Sequence, residues 1–583
     1  MKYELLGKYN GMLIETILHN RGITDTKKIL NPTHENDTNV LDLPNINLAV
    51  RTFVKNLSKK ILILVDSDVD GFTSSAIIYK YIKFANPLAD VNYFVHSKKS
   101  HGITKEFMGY VAQHKPDLII VPDAGTNDTE NRQQLIKNGI DLIIIDHHEE
   151  EKLTENGGIL INNHAKFPEN NINKNLTGAG MTYLFCKAVE MEVQTGRLNQ
   201  LMDLAMLGLI GDSADLTDNE VRRMCVDGLK NINSQLIKTL YEEKSDNLIF
   251  KDLSWGGIIP LINSVVRVGE TDERKLIFKA LVDLDLGYTE IVQKRKLNKE
   301  TRKYEVIDFE YNIYQLAIDA GEKSKNKQNR ILNAELKKSD SQFNSETGIQ
   351  IFITENEDAK GLTGLIANKL KSQWEQPTLV MWLSDDKTVY NGSLRGYEKT
   401  MPNFKKWCLD TGLFDLVQGH DNAAGIVLKA ENLDKLIECA KNVESEEMKY
   451  KIDILYQENV NVSHVFELDN NKHIFGNGID EPLFMVKNLK VPAHSISWSK
   501  KTLKLKAGEM TYIKFGVSEE EYKELKAKIS NYGSFDVVGR FEVNEWGYRK
   551  YPQMIITEYE LLTETKTDTF ESVPTPFDYG MFA

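Results

Sequence analysis

The chain has 583 residues, of which 41% are hydrophobic and 27% charged, an ordinary globular make-up with room for about three to five domains. Its 72 Lys and Arg against 85 Asp and Glu leave a net charge of −13, which excludes a basic nucleic-acid-binding coat and requires any such surface to be local. The cysteines Cys186, Cys225, Cys408 and Cys439 lack CxxC or zinc-type spacing and point to a reduced, cytoplasmic protein; neither a signal peptide nor a membrane-spanning apolar run is expected.

Residues 1–45 are polar, with RGITDTKKILNP as the one ordered-looking piece, and read as an N-terminal segment. The runs ILILV (61–65), LIIV (118–121) and LIIID (142–146) are short, apolar and β-branched, as buried parallel strands are. Helical stretches lie between them at 74–85 and 131–139, so residues 46–245 predict a doubly wound α/β lobe. Residues 176–230 read as helices. Residues 246–340 read as a helical connector carrying KRKLNKETRK (294–303), six basic residues against one acidic. That run is a candidate for tracking phosphates, or simply a solvated face.

A second α/β lobe is expected over 341–450, from IQIFIT (349–354), GLTGLIANKLKSQW (361–374) and PTLVMWL (377–383). Residues 455–563 alternate in short strands such as TLKLKA (502–507) and FDVVGRFEV (535–543), which predicts a small β barrel. Its Trp498, Tyr512 and Phe515 are candidates for stacking on bases, and equally for filling the barrel core. Residues 564–583 read as a flexible tail. Pro574 and Pro576 with Phe577, Tyr579, Met581 and Phe582 suggest either a docking peptide for a replication or repair protein or a segment folded back on the chain.

Four carboxylate-rich motifs each follow an apolar element. VDSDVDG (65–71) places Asp66, Asp68 and Asp70 at i, i+2 and i+4; VPDAGTND (121–128) supplies Asp123; IIIDHH supplies Asp146, His147 and His148; LIGDSAD supplies Asp212 and Asp215. Singly, each reads as a turn or cap. Together, three fall at the carboxyl ends of parallel strands and converge on one crevice. Carboxylates crowded there repel unless divalent cations neutralise them, and carboxylates with one or two imidazoles suit Mn²⁺ or Mg²⁺.

With these motifs in order, the sequence resembles the DHH phosphoesterase family and, within it, the RecJ-type single-strand exonucleases. LTGAGM (176–181), GLIGDSADL (208–216), PLINSVVR (260–267), GSLRG (392–396), GHDNAAG (419–425) and IFGNGIDEPLF (474–484) extend the resemblance to about residue 563. It implies two lobes joined by a long helix, the second like the family's DHHA1 substrate-binding lobe, and an OB-like nucleic-acid-binding barrel at 455–563. It also implies two divalent cations, Mn²⁺ or Mg²⁺, held by Asp68, Asp70, Asp123, His147 and Asp212, with Asp66 close by as a further metal ligand or a residue that orients one. His148 is implied to face the scissile phosphate and Asp146 to orient a histidine. Ser393, Arg395 and His420, with Arg267 and Asn263, are implied to bind substrate phosphates. Where the family shows GYG, this chain has SHGI (100–103).

The resemblance implies a metal-dependent exonuclease on single-stranded DNA, monomeric, of 5′→3′ polarity, in recombination, repair or replication. Two rival readings are a dinucleotide or short-oligonucleotide phosphodiesterase of the same superfamily and a non-catalytic replication scaffold. The added barrel speaks against the first, and the complete set of metal ligands against the second.

Overall fold

Strands without a polar face must be covered on both sides, and the three apolar runs of the first lobe are. Val91–Val95, Ile61–Val65, Leu118–Pro122, Asp141–Asp146 and Ile159–Asn162 form a parallel sheet in that spatial order. Ile61, Ile63 and Val65 pack with Phe72, Ala76 and Met181 of two covering helices, while Leu62 and Leu64 pack with Phe94, Phe107 and Val111 on the other face. From Ile61–Val65 the chain moves outward to Val91–Val95, then back past its start to Leu118–Pro122. That reversal opens a crevice at the carboxyl ends of Ile61–Val65 and Leu118–Pro122.

This computed structural model describes residues 1–151, 153–166, 172–242, 248–254, 256–297, 302, 304–397, 400–441, 443, 449–547 and 549–562. The expected tail, 564–583, lies outside them. The chain forms two units: residues 25–448 with 473–480, and residues 1–24 and 449–472 with the chain from Glu481 onward.

In the first unit the helix Ile313–Ser339 leads into a second sheet. An Asn312–Gln315 capping box starts this helix. The sheet runs in the order Phe414–His420, Ala423–Lys429, Val389–Arg395, Thr378–Leu383, Gln350–Ile353. Glu335, 1% exposed, ties the helix to this sheet by accepting from Thr354 Oγ1 (2.7 Å) and Asn356 Nδ2 (3.1 Å).

The helical reading of 246–340 requires a correction. Thr289–Leu297 and Tyr304–Asn312 pair as an antiparallel hairpin, and the KRKLNKETRK run lies at its far end. Alternating Val292, Ile307, Phe309 and Tyr311 favour a pleated strand over the helix that the Lys and Arg residues suggest. Residues 298–301 and 303 of the run lie outside the described residues.

In the other unit the N-terminal segment is more ordered than its polarity suggests. It holds a helix, Leu13–Asn20, and a strand, Tyr3–Leu5, that pairs in parallel with Tyr450–Ile452. Arg21 grips Asp453 at 2.7 Å through both Nε and Nη2. Seven strands follow in the order Ile454–Gln457, Phe484–Pro492, Tyr532–Trp546, Arg549–Leu562, Met510–Phe515, Thr502–Ala507, Ile496–Ser499. The expected small OB-like barrel is present as an OB-like sheet whose strand order stays open among the described residues. Its two edge strands have four residues each and do not pair with one another. Register shifts at Val486/Leu489 and Val538/Gly539 bend it. The three aromatic candidates separate: Tyr512 is core at 1% exposure and Phe515 is 60% exposed. Trp498 stacks on Tyr522 and donates to the Val517 carbonyl at 2.9 Å.

All four cysteines are free thiols, and among the described residues no helix is long and apolar enough to cross a membrane.

Candidate metal centre and phosphate-binding face

The DSDVDG turn distributes its three carboxylates by backbone geometry. Asp66, at the strand end, is 2% exposed, with both oxygens engaged by His101 Nδ1 (2.6 Å) and the Gly102 N–H (2.8 Å). Asp68 caps the helix Val69–Ala85, accepting from the Gly71 N–H at 2.9 Å. Asp70, inside the first turn, accepts from Thr177 Oγ1 (2.9 Å), the Gly178 N–H (2.7 Å) and the Ala179 N–H (3.0 Å). Those groups start a second helix, Gly178–Val193. Two helix N-termini thus face the carboxylates, and their dipoles offset part of the crowding of negative charge.

Asp123 follows its strand in the left-handed region, at φ 63°, an orientation that Asp tolerates better than most residues and that costs roughly 1–2 kcal/mol. Its buried Oδ1 receives no hydrogen bond, although His147 Nε2 is 3.2 Å away. The same His147 Nε2 lies 3.7 Å from Asp212 Oδ2 and 3.9 Å from Asp70 Oδ2. Burial holds the His147 pKa below its ordinary value, so the ring stays neutral and brings a lone pair to the cluster. An imidazole nitrogen and carboxylate oxygens gathered this closely form a donor set that fits a hard divalent cation. One ligand atom from each of Asp70, His147 and Asp212 falls within 4.8 Å of the others; so do those of Asp66, Asp68 and His101, and those of Asp123, Asp146, His147 and His148.

Electrostatics agree with that fit. Burial, then the charges of Asp70 and Asp68, raises Asp123 well above the carboxylate range, and burial also raises Asp70. Asp212, whose side chain is 43% exposed, is pushed up to about 8 by lost solvation and by Asp70 and Asp68. Asp146 behaves differently. Fully buried, it accepts from the Thr126 N–H (3.0 Å), the His147 N–H (2.7 Å) and His148 Nδ1 (2.8 Å); burial raises its pKa, but the bond and charge of His148, with the His147 ring and the Thr126 bond, outweigh it and hold it well below the usual range. It orients both histidines and has little lone-pair capacity left for a metal. His148 is exposed, and its bond to Asp146 pushes it up to about 9. It is therefore a cation at neutral pH.

Basic groups gather within electrostatic reach of these carboxylates. The exposed Lys99 has its pKa lowered by lost solvation and by Arg267, with Arg395 adding to the effect and Asp68 and Asp66 opposing it. Arg267 and Arg395 are both shifted down, by lost solvation first; Arg395 also feels the charge of Arg267, and Arg267 that of Asp68. Asn263 lies one turn before Arg267 on the helix Ile258–Val268. In the second sheet Arg395, Ala423 and His420 share one register row, and Ser393, Gly425 and Gln418 the next matching row. Ser393, Arg395 and His420 thus point to one face, with His420 two strands, roughly 10 Å, from Arg395. Ser393 Oγ is 2.9 Å from Thr363 Oγ1, at the start of the helix Thr363–Trp374. A Cβ on Gly364 would come within 2.7 Å of Arg395 Nη2.

Sequence reasoning missed Lys99, His101, Thr363 and the donors around Gly178. His101 was visible only as part of the SHGI departure, and nothing in its local sequence signals that it grips Asp66.

The chain matches the DHH family, N-terminal domain, over residues 60–209 and the RecJ OB domain over residues 453–558. It is 34% identical over 587 residues to YorK, named as an SPbeta prophage-derived single-strand DNA-specific exonuclease of Bacillus subtilis (strain 168); the match covers 96% of this chain and 98% of that protein. RecJ of the same organism, a single-stranded-DNA-specific exonuclease, is 24% identical over 88% of this chain and 64% of its own length. In fold, RecJ from Thermus thermophilus in complex with Mn²⁺ aligns with TM-score 0.71 over 96% of this chain and 77% of that one, at 18% identity. From the ordered motifs, the crevice they share and a relative matched along nearly its whole length, the chain belongs to the RecJ-type branch of the DHH family.

Proposed function

We propose that this protein is a metal-dependent exonuclease that hydrolyses single-stranded DNA, acting 5′→3′ in recombination, repair or replication within the cytoplasm. The observation that carries the proposal is the meeting of two charge clusters within one unit: Asp68, Asp70, Asp123, His147 and Asp212, and beside them Lys99 and Arg267, which feel the charge of Asp68, with Arg395, which feels that of Arg267. A phosphodiester between them meets hard-cation ligands and phosphate-binding cations at once. The similarity to YorK and RecJ, both named for single-strand DNA, supports the substrate.

Asp70, Asp123, His147 and Asp212, with Asp68, would hold two Mn²⁺ or Mg²⁺ ions, and Asp66 with His101 would buttress that set. Bound there, such ions supply Lewis acidity and make water acidic enough to serve as a nucleophile near neutral pH. The chain's own groups do the rest. Arg395 and Arg267 fork onto phosphoryl oxygens, and Ser393 Oγ with the amides that start Thr363–Trp374 donates to the same anion. His148, held cationic by Asp146, faces the charge that develops on the phosphate. In the other unit, exposed aromatic side chains such as Phe515 stack on bases of a longer strand.

The test is degradation of about 30-nucleotide strands labelled at either end, with Mn²⁺, Mg²⁺ or EDTA, beside a dinucleotide. Processive shortening from the 5′ end that EDTA abolishes is expected. Equal turnover of the dinucleotide and the long strand would favour a small-substrate phosphodiesterase instead. Arg395→Ala should lower kcat/KM by about 10- to 100-fold, the worth of one charge-assisted contact to phosphate.

A further inference from the structure

The segment His473–Asp480 belongs with the catalytic unit, although the residues on either side of it belong to the other one. It contains the glycine-bracketed FGNGI of the IFGNGIDEPLF motif. Gly476 and Ile479 exchange two backbone hydrogen bonds of 3.0 Å, closing a two-residue turn around Asn477 and Gly478. The left-handed second position falls to Gly478, at φ 80°. Asp215 crowds Gly478 closely enough to leave no room for a Cβ.

That turn sits on the residues that immediately follow Asp212. The helix Met202–Gly211 ends with Asp212 as its C-cap, and Ser213 takes the left-handed position, at φ 60°. The Ala214 N–H reaches the Leu209 carbonyl (2.9 Å) and the Ser213 N–H reaches that of Ile210 (3.2 Å), which is a Schellman ending. Glycine usually fills that left-handed position; a serine there is strained. The carbonyls of Ser213 and Ala214 turn outward, and both accept from Asn477 Nδ2, the latter at 3.2 Å. In return the Leu216 N–H donates to the Asn477 carbonyl at 3.1 Å. Arg222 reinforces the seat, donating through Nη1 to the carbonyls of Ile474 (3.2 Å) and Leu216 (3.5 Å).

We infer that Asn477 is a positioning residue for Asp212: by clamping the strained Ser213–Leu216 turn, it aims the Asp212 carboxylate at the metal centre. The inference rests on the metal-centre reading above. Asp212 needs such a device because its side chain is 43% exposed and ends a helix, unlike the buried Asp123 and the buried Asp70, which three donors hold in place. The clamp acts on backbone, so the relevant perturbation is loss of the amide donors.

The experiment is Mn²⁺ titration of the full-length chain, read by the disappearance of the free-ion EPR signal, on unaltered protein, N477A, N477D and the double variant N477A/S213G. N477A should weaken one of two Mn²⁺ sites about 10-fold, the usual scale for losing an outer support of a ligand. Its kcat on a short oligonucleotide should fall in step while KM holds. Adding S213G should restore most of that affinity, because glycine holds the left-handed turn without a clamp. N477D keeps the turn's shape but sets a carboxylate against two carbonyl oxygens, so it should weaken the site at least as much; it serves where N477A does not fold. Unchanged Mn²⁺ affinity in either variant, with only a lower melting temperature, would overturn the inference, and so would weakened binding that S213G does not restore. An unaltered chain that binds no Mn²⁺ would overturn the metal centre and this inference together. One that binds Mn²⁺ normally but cleaves no DNA would overturn the proposed function alone.

Discussion

Replacing Gly178 by alanine puts the metal-centre geometry under a controlled strain. Gly178 starts a helix and donates its N–H to Asp70 Oδ2 at 2.7 Å, while its α-carbon faces Asp123. A Cβ there would lie 2.5 Å from Asp123 Cβ and 2.6 Å from its Cγ. Restoring ordinary contact of about 3.5 Å requires roughly 1 Å of separation. Neither partner yields easily, since Asp123 is 2% exposed, with its N–H bonded to the Ile145 carbonyl at 2.7 Å, and the helix end is tied to Asp70. Overpacking of this kind costs about 1–3 kcal/mol of stability, and alanine recovers at most about 1 kcal/mol of helix propensity. Metal ligands tolerate only about 0.2 Å of error, whereas misplacement by about 1 Å costs on the order of 100-fold in rate. The chemistry should therefore suffer more than the fold: G178A should keep its circular dichroism spectrum, lose a few degrees of melting temperature, and lose about 100-fold in Mn²⁺-dependent turnover. Hydrolysis of an end-labelled single strand at saturating Mn²⁺, beside a thermal melt, reads both. Turnover within about twofold of the unaltered enzyme would show that Asp123 is not held in place by this contact, and the close-approach argument would fail.

Asp123→Asn should reduce hydrolysis by at least about 1,000-fold, while in EDTA the melting temperature holds or rises because one of several crowded carboxylates is gone; a sharp fall in stability would mean that Asp123 is structural. Glu335 gives the pH dependence: burial raises its pKa, but the bonds from Thr354, Lys338 and Asn356 win and hold it below the usual range. Its contribution is thus present above the ordinary Glu pKa of about 4.3 and lost as pH falls through the lower folded value. E335Q should cost about 1.5–3 kcal/mol at neutral pH, a deficit that shrinks in urea melts toward pH 3; a deficit constant with pH would refute this. In the OB-like unit, Tyr512→Ala should lose about 3–5 kcal/mol of stability, as large buried rings do. Phe515→Ala should leave the melt unchanged and weaken binding of long strands by about 1–3 kcal/mol; unchanged affinity for long strands would remove Phe515 from the binding surface.

The sequence alone determined the parts whose physics is local. A run such as ILILV has no polar face, so it must be a covered strand, and an Asp-rich turn that follows one must sit at a sheet's carboxyl edge. That was enough to bring the motifs of Asp66–Asp70, Asp123 and Asp146–His148 to one crevice, because the doubly wound order gathers strand ends there; Asp212 ends a helix instead, and its place beside them was implied by the family resemblance. Local signals failed where long-range pairing decides. KRKLNKETRK carries helix-forming residues, yet its flanks pair as a hairpin, and the polar N-terminus gains a strand only because Tyr450–Ile452, more than 400 residues away, offers an edge. The barrel's open ladder could not be read from alternation, which reports faces but not closure. The supports of the site were equally hidden. His101 on Asp66, Gly178 against Asp123 and Asn477 on the turn after Asp212 act across the fold through single hydrogen bonds or a missing side chain, and neither leaves a periodic trace in the sequence. Side-chain chemistry names the groups that can hold a metal; only tertiary structure decides which backbone holds them still.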